Sequence, residues 1–111
     1  MVDHEIEFLL SLNGFGYRFG NGHRIKIAAK RIKPNKGRPA GIKYSLTLHD
    51  TKGNRIYGID NARSVKQSLT FDHWHVYDTG HVRPYAYVGA AQLLKDFYDE
   101  VGRILNERGI K

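Results

Sequence analysis

Apolar and polar residues alternate along most of the chain, a pattern typical of β-strands with one buried face. The alternating stretches are 5–12, 15–19, 23–32, 41–50 and 55–60, and two shorter ones follow at 71–77 and 85–88. Asn13-Gly14 and the Gly20-Asn21-Gly22 run tolerate positive φ angles, so the first three stretches are predicted to form two successive hairpins.

The period of the apolar residues changes near residue 90. They then recur at steps of three and four, which predicts an amphipathic helix over 90–108. These residues are Ala90, Leu93, Leu94, Phe97, Val101, Ile104 and Leu105. The predicted fold class is therefore α+β, an antiparallel β-sheet of about five to seven strands with one C-terminal amphipathic helix packed on it.

Length and composition place these elements in a single domain spanning residues 1–111. The chain is 41% hydrophobic and 12% aromatic, which suffices for one modest core. It has no cysteine, so disulfides and thiolate metal sites are excluded. The N-terminal segment lacks the features of a secretion signal, and no stretch approaches the ~18 apolar residues of a membrane span. We therefore expect a cytoplasmic protein without membrane association.

Positive charge is concentrated in one part of a basic chain, whose net charge is +7 and whose pI is near 9.8. Residues 24–43 contain no acidic residue and eight basic ones, Arg24, Lys26, Lys30, Arg31, Lys33, Lys36, Arg38 and Lys43. On a strand, Arg24, Lys26 and Lys30 share one face, which predicts a basic stripe over a buried backing. The eight residues are a candidate nucleic-acid-binding surface, and a solvated face that only keeps the protein soluble is an equally good interpretation.

Candidate catalytic groups gather between residues 59 and 87. His73 and His75 are two residues apart, so on a strand both imidazoles project from the same face. Histidine titrates near neutral pH, which suits it to general acid and base catalysis. One hypothesis is metal-independent cleavage of RNA. One imidazole would accept a ribose 2′-hydroxyl proton, the other imidazole or Tyr77 would protonate the leaving oxygen, and Arg83 would stabilise the charge on the phosphorus oxygens.

The same residues allow other interpretations. The histidine pair could bind a metal with His81 or an acid, but a third ligand at a recognised spacing is missing, so no metal or other cofactor is expected. Asp60 is a candidate partner for either histidine, although Asp and Asn at a strand end more often form a turn. The histidines also fit a structural role as cross-strand partners on a solvated face.

Several segments, in order, resemble the TumE-type toxins of type II toxin-antitoxin pairs. They are GIKYSLTLHD, YGIDNA, DHWHV, and YAYV followed by AAQLLKDFYDEVGRIL, within residues 41–105. The resemblance implies a growth-inhibiting protein that acts on RNA and is neutralised by an antitoxin protein. The positions that it carries over are Asp60, Asn61, His73 and His75, whereas Arg83 is chosen from its charge alone.

The leading prediction is therefore the toxin of a type II pair, with an endoribonuclease as the hypothesis for its chemistry. Two other functions fit the same charge distribution. One is a non-catalytic nucleic-acid-binding module that uses the basic stripe, and the other is an interaction protein that docks an acidic partner. The sequence leaves the oligomeric state open.

Overall fold

The structure is a computed structural model that describes residues 3–62, 71–76 and 80–107. Within these residues the chain forms, in order, α1 (His4–Ser11), β1 (Gly16–Arg18), β2 (Arg24–Arg31), β3 (Ile42–His49), β4 (Arg55–Asp60), β5 (His73–Val76), β6 (His81–Pro84) and α2 (Ala90–Glu107). Of the two described helices, neither is long and apolar enough to cross a bilayer.

The six strands form one antiparallel sheet in which the spatial order follows the chain order, β1 to β6. The two edge strands are β1 and β6, which are three and four residues long and exposed along their length. Together with α2, this sheet confirms the predicted α+β class.

One face of the sheet is apolar and packs against both helices. Its buried residues are Ile25, Ile27, Ala29, Ile42, Tyr44, Leu46, Leu48, Tyr57 and Ile59. The ring of Phe97 in α2 stacks on Tyr57 with 6.5 Å between the ring centroids, and α1 adds Ile6 and Leu9 to the same core. We call the opposite face the polar face. The alternation along the strands and the cross-strand pairing place on it Arg24, Lys26, Lys30, Lys43, Ser45, Thr47, His49, Asp60, His73 and His75.

The prediction of a strand over 5–12 is wrong, because this segment contains the helix α1. The Asp3 side chain caps the helix by accepting hydrogen bonds from the backbone N–H groups of Glu5 at 3.0 Å and Ile6 at 3.1 Å. The buried residues of α1 are Ile6 and Leu9, three apart, whereas Phe8 is 58% exposed. Leu9, which interrupts the apparent alternation, is therefore a core residue on a helical face.

The first predicted hairpin turn consequently joins a helix to a strand. Gly14 has the expected positive φ, 84°, but it follows α1 and precedes β1. The side chain of Asn13 accepts a hydrogen bond from the backbone N–H of Ala29 at 3.0 Å, which ties this connection to β2. The second predicted turn is confirmed, since Gly22 has a φ of 92° between β1 and β2.

The last predicted strand, 85–88, is also wrong, because β6 lies at His81–Pro84. All four β6 side chains are exposed, so the strand leaves no alternating apolar signal in the sequence. The chain then leaves the sheet at Tyr85, whose ring packs edge-on against Trp74 with centroids 5.1 Å apart. The predicted C-terminal helix is confirmed as α2, with its apolar stripe facing the core.

Candidate functional site

Three polar side chains converge on the polar face where β4 ends and β5 begins. Asp60 and His73 are cross-strand partners, and His75 lies opposite Gly58. The Nε2 atoms of the two histidines are 2.6 Å apart. His73 Nε2 lies 3.3 Å from Asp60 Oδ1, and His75 Nε2 lies 3.4 Å from Asp60 Oδ2. We call this arrangement the Asp60–His73–His75 cluster, and it unites three of the residues predicted to be catalytic.

Hydrogen bonds outside the cluster fix two of its members. His73 is buried, and its Nδ1 lies 2.6 Å from the backbone carbonyl of Phe71. Because a carbonyl only accepts, Nδ1 carries the proton, and in the neutral ring Nε2 presents its lone pair to the cluster. Asp60 Oδ1 accepts a hydrogen bond from the N–H of Ala62 at 3.0 Å. The side chain of His75 is 25% exposed, so the cluster reaches solvent through this residue.

Arg38 ties together the two chain segments that carry the cluster. Its Nε donates to the carbonyl of Asn61 at 2.7 Å, and its Nη2 donates to the carbonyl of Ala62 at 2.9 Å. The guanidinium carbon lies 4.7 Å from the centroid of the Phe71 ring, within the range of a cation–π interaction. These contacts join the end of β4 to the start of β5. The binding of nucleic acid by Arg38 stays a prediction.

The segment 34–41, which connects β2 and β3, packs beside this site. The Phe71 N–H donates to the carbonyl of Gly37 at 3.0 Å. A Cβ added to Gly37 would lie 2.5 Å from the Phe71 ring, so the ring packs directly on the glycine backbone. The loop therefore helps to hold Phe71, whose carbonyl orients His73.

Asn61, one of the positions implied by the family resemblance, supports the site from within the fold. Its side chain is buried and bridges to the backbone of β3. The amide oxygen accepts a hydrogen bond from the N–H of Tyr44, and the amide nitrogen donates to the carbonyl of Ile42, both at 2.9 Å. These two hydrogen bonds extend the pairing of β3 with β4 and hold the chain in place directly after Asp60.

Arg83 and Tyr77 are the two other residues predicted to be catalytic. Arg83 pairs across the strands with Trp74, and its guanidinium carbon lies 5.5 Å from the Trp74 ring centroid. Trp74 packs on Tyr57 at the apolar face, so the structure places Arg83 on the opposite face of the sheet from the two histidines. Tyr77 lies outside the described residues, and its role stays a prediction.

The basic residues predicted to form one nucleic-acid-binding surface lie in different parts of the structure. Arg24, Lys26 and Lys30 alternate with buried residues, as predicted, and they lie on the polar face. Lys43 joins them as the cross-strand partner of Lys30. Arg31 faces the helices and forms an ion pair with Glu7 of α1. The two remaining lysines, Lys33 and Lys36, are exposed in the segment between β2 and β3.

The basic stripe and the cluster share the polar face. Two grooves lie along the stripe. One, of about 250 Å³, is lined by Lys30, Lys43, Ser45 and Ala62 among others, and Ala62 donates the hydrogen bond to Asp60. The other, of about 460 Å³, is lined by Lys26, Thr47, His49 and Arg55 among others. Lys30 and Lys43 thus line a groove that also reaches Ala62, the residue that donates to the Asp60 carboxylate.

The positive charges of the polar face affect the pKa of His49, a buried residue on the same face. Burial lowers the pKa of His49, and the nearby Lys26, Arg55 and Arg24 lower it further, against the opposing effect of the hydrogen bond with the Gly53 carbonyl. Lys30 and Lys43 face each other directly across two strands, an arrangement of like charges that costs stability in a sheet. A surface with this arrangement is suited to binding an anion.

Comparison with protein families identifies the chain. A family model described as toxin TumE matches residues 6–105. This range includes most of α1 and all of β1 and β2, which precede the segments within 41–105 in which the resemblance was found from the sequence. Comparisons with curated proteins and with solved structures give no significant match.

Proposed function

Because the chain belongs to the TumE toxin family, we propose that it is the toxin of a type II toxin-antitoxin pair and that it cleaves RNA in the cytoplasm. The single observation that supports the RNA-directed part is the shared polar face. The face carries the Asp60–His73–His75 cluster and, on the neighbouring strands β2 and β3, the cations Lys26, Lys30 and Lys43.

Strand spacing relates the two parts of this surface. Lys26, Thr47, Gly58 and His75 form one row of cross-strand partners over β2 to β5. With strands about 4.8 Å apart, Lys26 and His75 are roughly 14 Å apart at the backbone, the distance covered by two or three nucleotides of an extended chain. Phosphates held along the stripe would therefore bring a further phosphodiester to the cluster, as positively charged grooves do in other proteins that bind single strands.

The geometry of the cluster restricts its chemistry. In an in-line displacement the attacking and leaving oxygens lie on opposite sides of the phosphorus, so a base and an acid must also stand on opposite sides. The two Nε2 atoms are 2.6 Å apart, which leaves no room for a phosphate between them. His73 and His75 therefore act as one unit on one side of the reaction, where they activate the attacking oxygen together with Asp60. Protonation of the leaving oxygen stays with the predicted donor Tyr77.

Induced expression in a bacterium tests this proposal. The unchanged chain is expected to arrest growth and to cause degradation of RNA, and His75→Ala and Asp60→Asn are expected to abolish both effects. The matched control is His4→Ala, which removes an exposed histidine of α1 far along the chain from the cluster. Growth arrest with intact RNA would keep the toxin assignment and refute RNA cleavage, while full activity of both variants would refute the role of the cluster.

A second function, binding of nucleic acid without cleavage, is favoured by the direct pairing of Lys30 with Lys43. In that case the purified protein would bind RNA with an affinity that falls steeply with salt, and His75→Ala would leave both binding and growth arrest unchanged. Docking of the antitoxin on the same stripe gives a third outcome, in which an acidic protein binds and competes with RNA.

A further inference from the structure

We propose that Asp60, His73 and His75 together bind one divalent transition-metal ion, with Zn²⁺ as the expected occupant. One potential ligand atom from each residue lies within 4.8 Å of the other two. This inference departs from the expectation of no cofactor, because the third ligand comes from a neighbouring strand and leaves no recognisable spacing in the sequence. The ion would occupy the same Nε2 atoms that activate the attacking oxygen in the function proposed above, so a bound ion would change how the cluster acts there. Metal binding itself is measured without RNA.

The distances within the cluster match those expected between ligands of one metal ion. Imidazole nitrogen and carboxylate oxygen bind Zn²⁺ at about 2.0–2.2 Å, so two such ligands in a tetrahedron are about 3.3–3.5 Å apart. The contacts of Asp60 with the two histidines, 3.3 and 3.4 Å, agree with this value. The distance of 2.6 Å between the two Nε2 atoms is shorter, so a bound ion requires the imidazoles to separate by several tenths of an ångström. His75 is the more exposed of the two rings, since its side chain is 25% exposed and that of His73 is 3% exposed.

The short contact between the two Nε2 atoms requires a hydrogen or a metal ion between them. The hydrogen bond of His73 Nδ1 to the Phe71 carbonyl directs the Nε2 lone pair at His75. Two facing lone pairs repel, and two facing N–H groups clash, so the contact needs either one shared proton or one metal ion. Asp60 lies against both nitrogens and supplies the carboxylate oxygen that a metal ion between them would use as a third ligand.

The surroundings of the cluster resemble the outer shell of a metal site. A metal-binding histidine generally donates its other N–H to a carbonyl or a carboxylate, as His73 does to Phe71. A metal-binding carboxylate is itself hydrogen-bonded, as Asp60 is by the N–H of Ala62. These contacts already hold both side chains in the positions in which they would bind the ion.

The chemistry of the donors narrows the class of metal. Two imidazoles and one carboxylate suit Zn²⁺, Fe²⁺ and related transition metals, whereas Mg²⁺ and Ca²⁺ prefer oxygen ligands. Three protein ligands leave a further coordination position, which is the composition of catalytic rather than structural zinc sites. The centre would carry a net positive charge, since one carboxylate faces a divalent ion, and it would lie at the end of the basic stripe.

The test uses the purified full-length chain, stripped with a chelator and titrated with Zn²⁺ by calorimetry. We expect one ion per chain with a dissociation constant below about 1 µM, and no competition by millimolar Mg²⁺. Cobalt(II) is expected to give visible absorption bands that disappear when Zn²⁺ is added. His75→Ala and Asp60→Asn are each expected to weaken Zn²⁺ binding by roughly 10-fold or more.

The control variant is His4→Ala, which removes an exposed histidine and is expected to leave the binding constant unchanged. Circular dichroism of the apo proteins establishes that each variant is folded, and Asp60→Asn preserves the size and the hydrogen-bonding oxygen of the side chain. Absence of binding above that of free histidine, or binding that Asp60→Asn and His75→Ala do not weaken, would overturn the proposal and assign a shared proton to the cluster. Zinc binding without RNA cleavage would keep this inference and remove only the proposed function.

Discussion

A residue outside the cluster, Arg38, contacts both chain segments that carry the cluster residues. Arg38 contributes three contacts, to the carbonyls of Asn61 and Ala62 and to the Phe71 ring, and all of them lie next to cluster residues in the chain. The planar guanidinium provides donors in fixed directions and a flat surface for stacking, which a lysine ammonium does not. We therefore expect the site to depend on the shape and the donor geometry of this side chain more than on its charge.

We expect Arg38→Lys to reduce growth arrest although it keeps the charge. The loss of charge-assisted hydrogen bonds to buried carbonyls is expected to lower the free energy of unfolding by about 1.5–3 kcal/mol, measured by urea denaturation. Lys36→Ala is the control, because Lys36 is exposed in the same segment. If Arg38→Lys arrests growth as well as the unchanged chain does, then Arg38 has no positioning role.

His49 makes stability depend on pH in a predictable direction. Its pKa is lower in the folded protein, chiefly through burial, so the unfolded chain binds the proton more readily. The free energy of unfolding is therefore expected to fall as the pH decreases below the unfolded pKa of about 6.5 and to stop falling below the folded pKa.

Urea denaturation between pH 5 and 8 isolates this contribution when the unchanged chain is compared with His49→Gln. The difference in stability between the two proteins is expected to grow with pH up to about 6.5 and to stay constant above it. A difference that is constant over the whole range would contradict the lowered pKa of His49.

Among the strands, β4 is the element on which the site depends most. Gly58 in β4 lies between Thr47 and His75 on the polar face. A Cβ at this position would lie 2.9 Å from the backbone oxygen of Leu46 and 3.2 Å from Thr47 Cγ2, so β3 or β4 would have to shift. Such a shift would also displace Asp60, two residues further along the same strand.

Gly58→Ala is accordingly expected to lower the free energy of unfolding by about 1–3 kcal/mol and to weaken growth arrest. Gly102→Ala is the matched control, because nothing lies within 4 Å of a Cβ added at that position in α2. The control is expected to stabilise the protein by about 0.5–1 kcal/mol, since alanine favours helix more than glycine does. Equal effects of the two substitutions on thermal denaturation would contradict the close packing at Gly58.

The elements that were predicted correctly are those that bury one face, because burial of one face gives the apolar residues a regular spacing. The central strands and α2 each bury one face, so their periods of 2 and 3.6 are visible. The strand β6 buries no side chain and therefore has no such period. The helix α1 is short, and its alternating apolar residues imitated a strand, although Asp3 and the acidic first turn were available as signals of a helix start.

The site was predictable only in part, because the pairing of the strands determines which of its side chains are in contact. The shared face of His73 and His75 follows from their spacing, and the structure confirms it. The contact with Asp60 requires β4 and β5 to be neighbours in one register, which no local pattern reveals. Arg83 was predicted to act with the histidines from its charge alone, whereas the register of β6 places it opposite Trp74 on the other face.

At the scale of the whole molecule, the two faces of the sheet have separate tasks. The apolar face and the helices provide the core, while the polar face gathers charged side chains, of which Lys30 and Lys43 repel each other. The pairing of Lys30 with Lys43 is the clearest example, because an uncharged residue at either position would be better for the sheet.

Replacing Lys43 with Gln is therefore expected to separate stability from binding. The free energy of unfolding should rise by about 0.2–1 kcal/mol. The affinity for RNA should fall, and in a plot of the logarithm of the binding constant against the logarithm of the salt concentration the slope should become shallower by about 1. Lys95→Gln removes the same charge from α2, where Lys95 pairs with Asp99. It is expected to leave RNA affinity unchanged in the same fluorescence titration, and an equal loss of affinity would contradict a role specific to the polar face.

The arrangement of the strands in chain order also determines where another protein chain can attach. Among the described strands, β1 and β6 form the two edges of the sheet, and each is too short to serve as a template for a long added strand. Pro84 lacks an N–H group, and Arg18 and Arg83 add charge to these margins, features that discourage self-association into extended sheets. We therefore expect a protein partner to bind to a face of the molecule and not by adding a strand to an edge of the sheet.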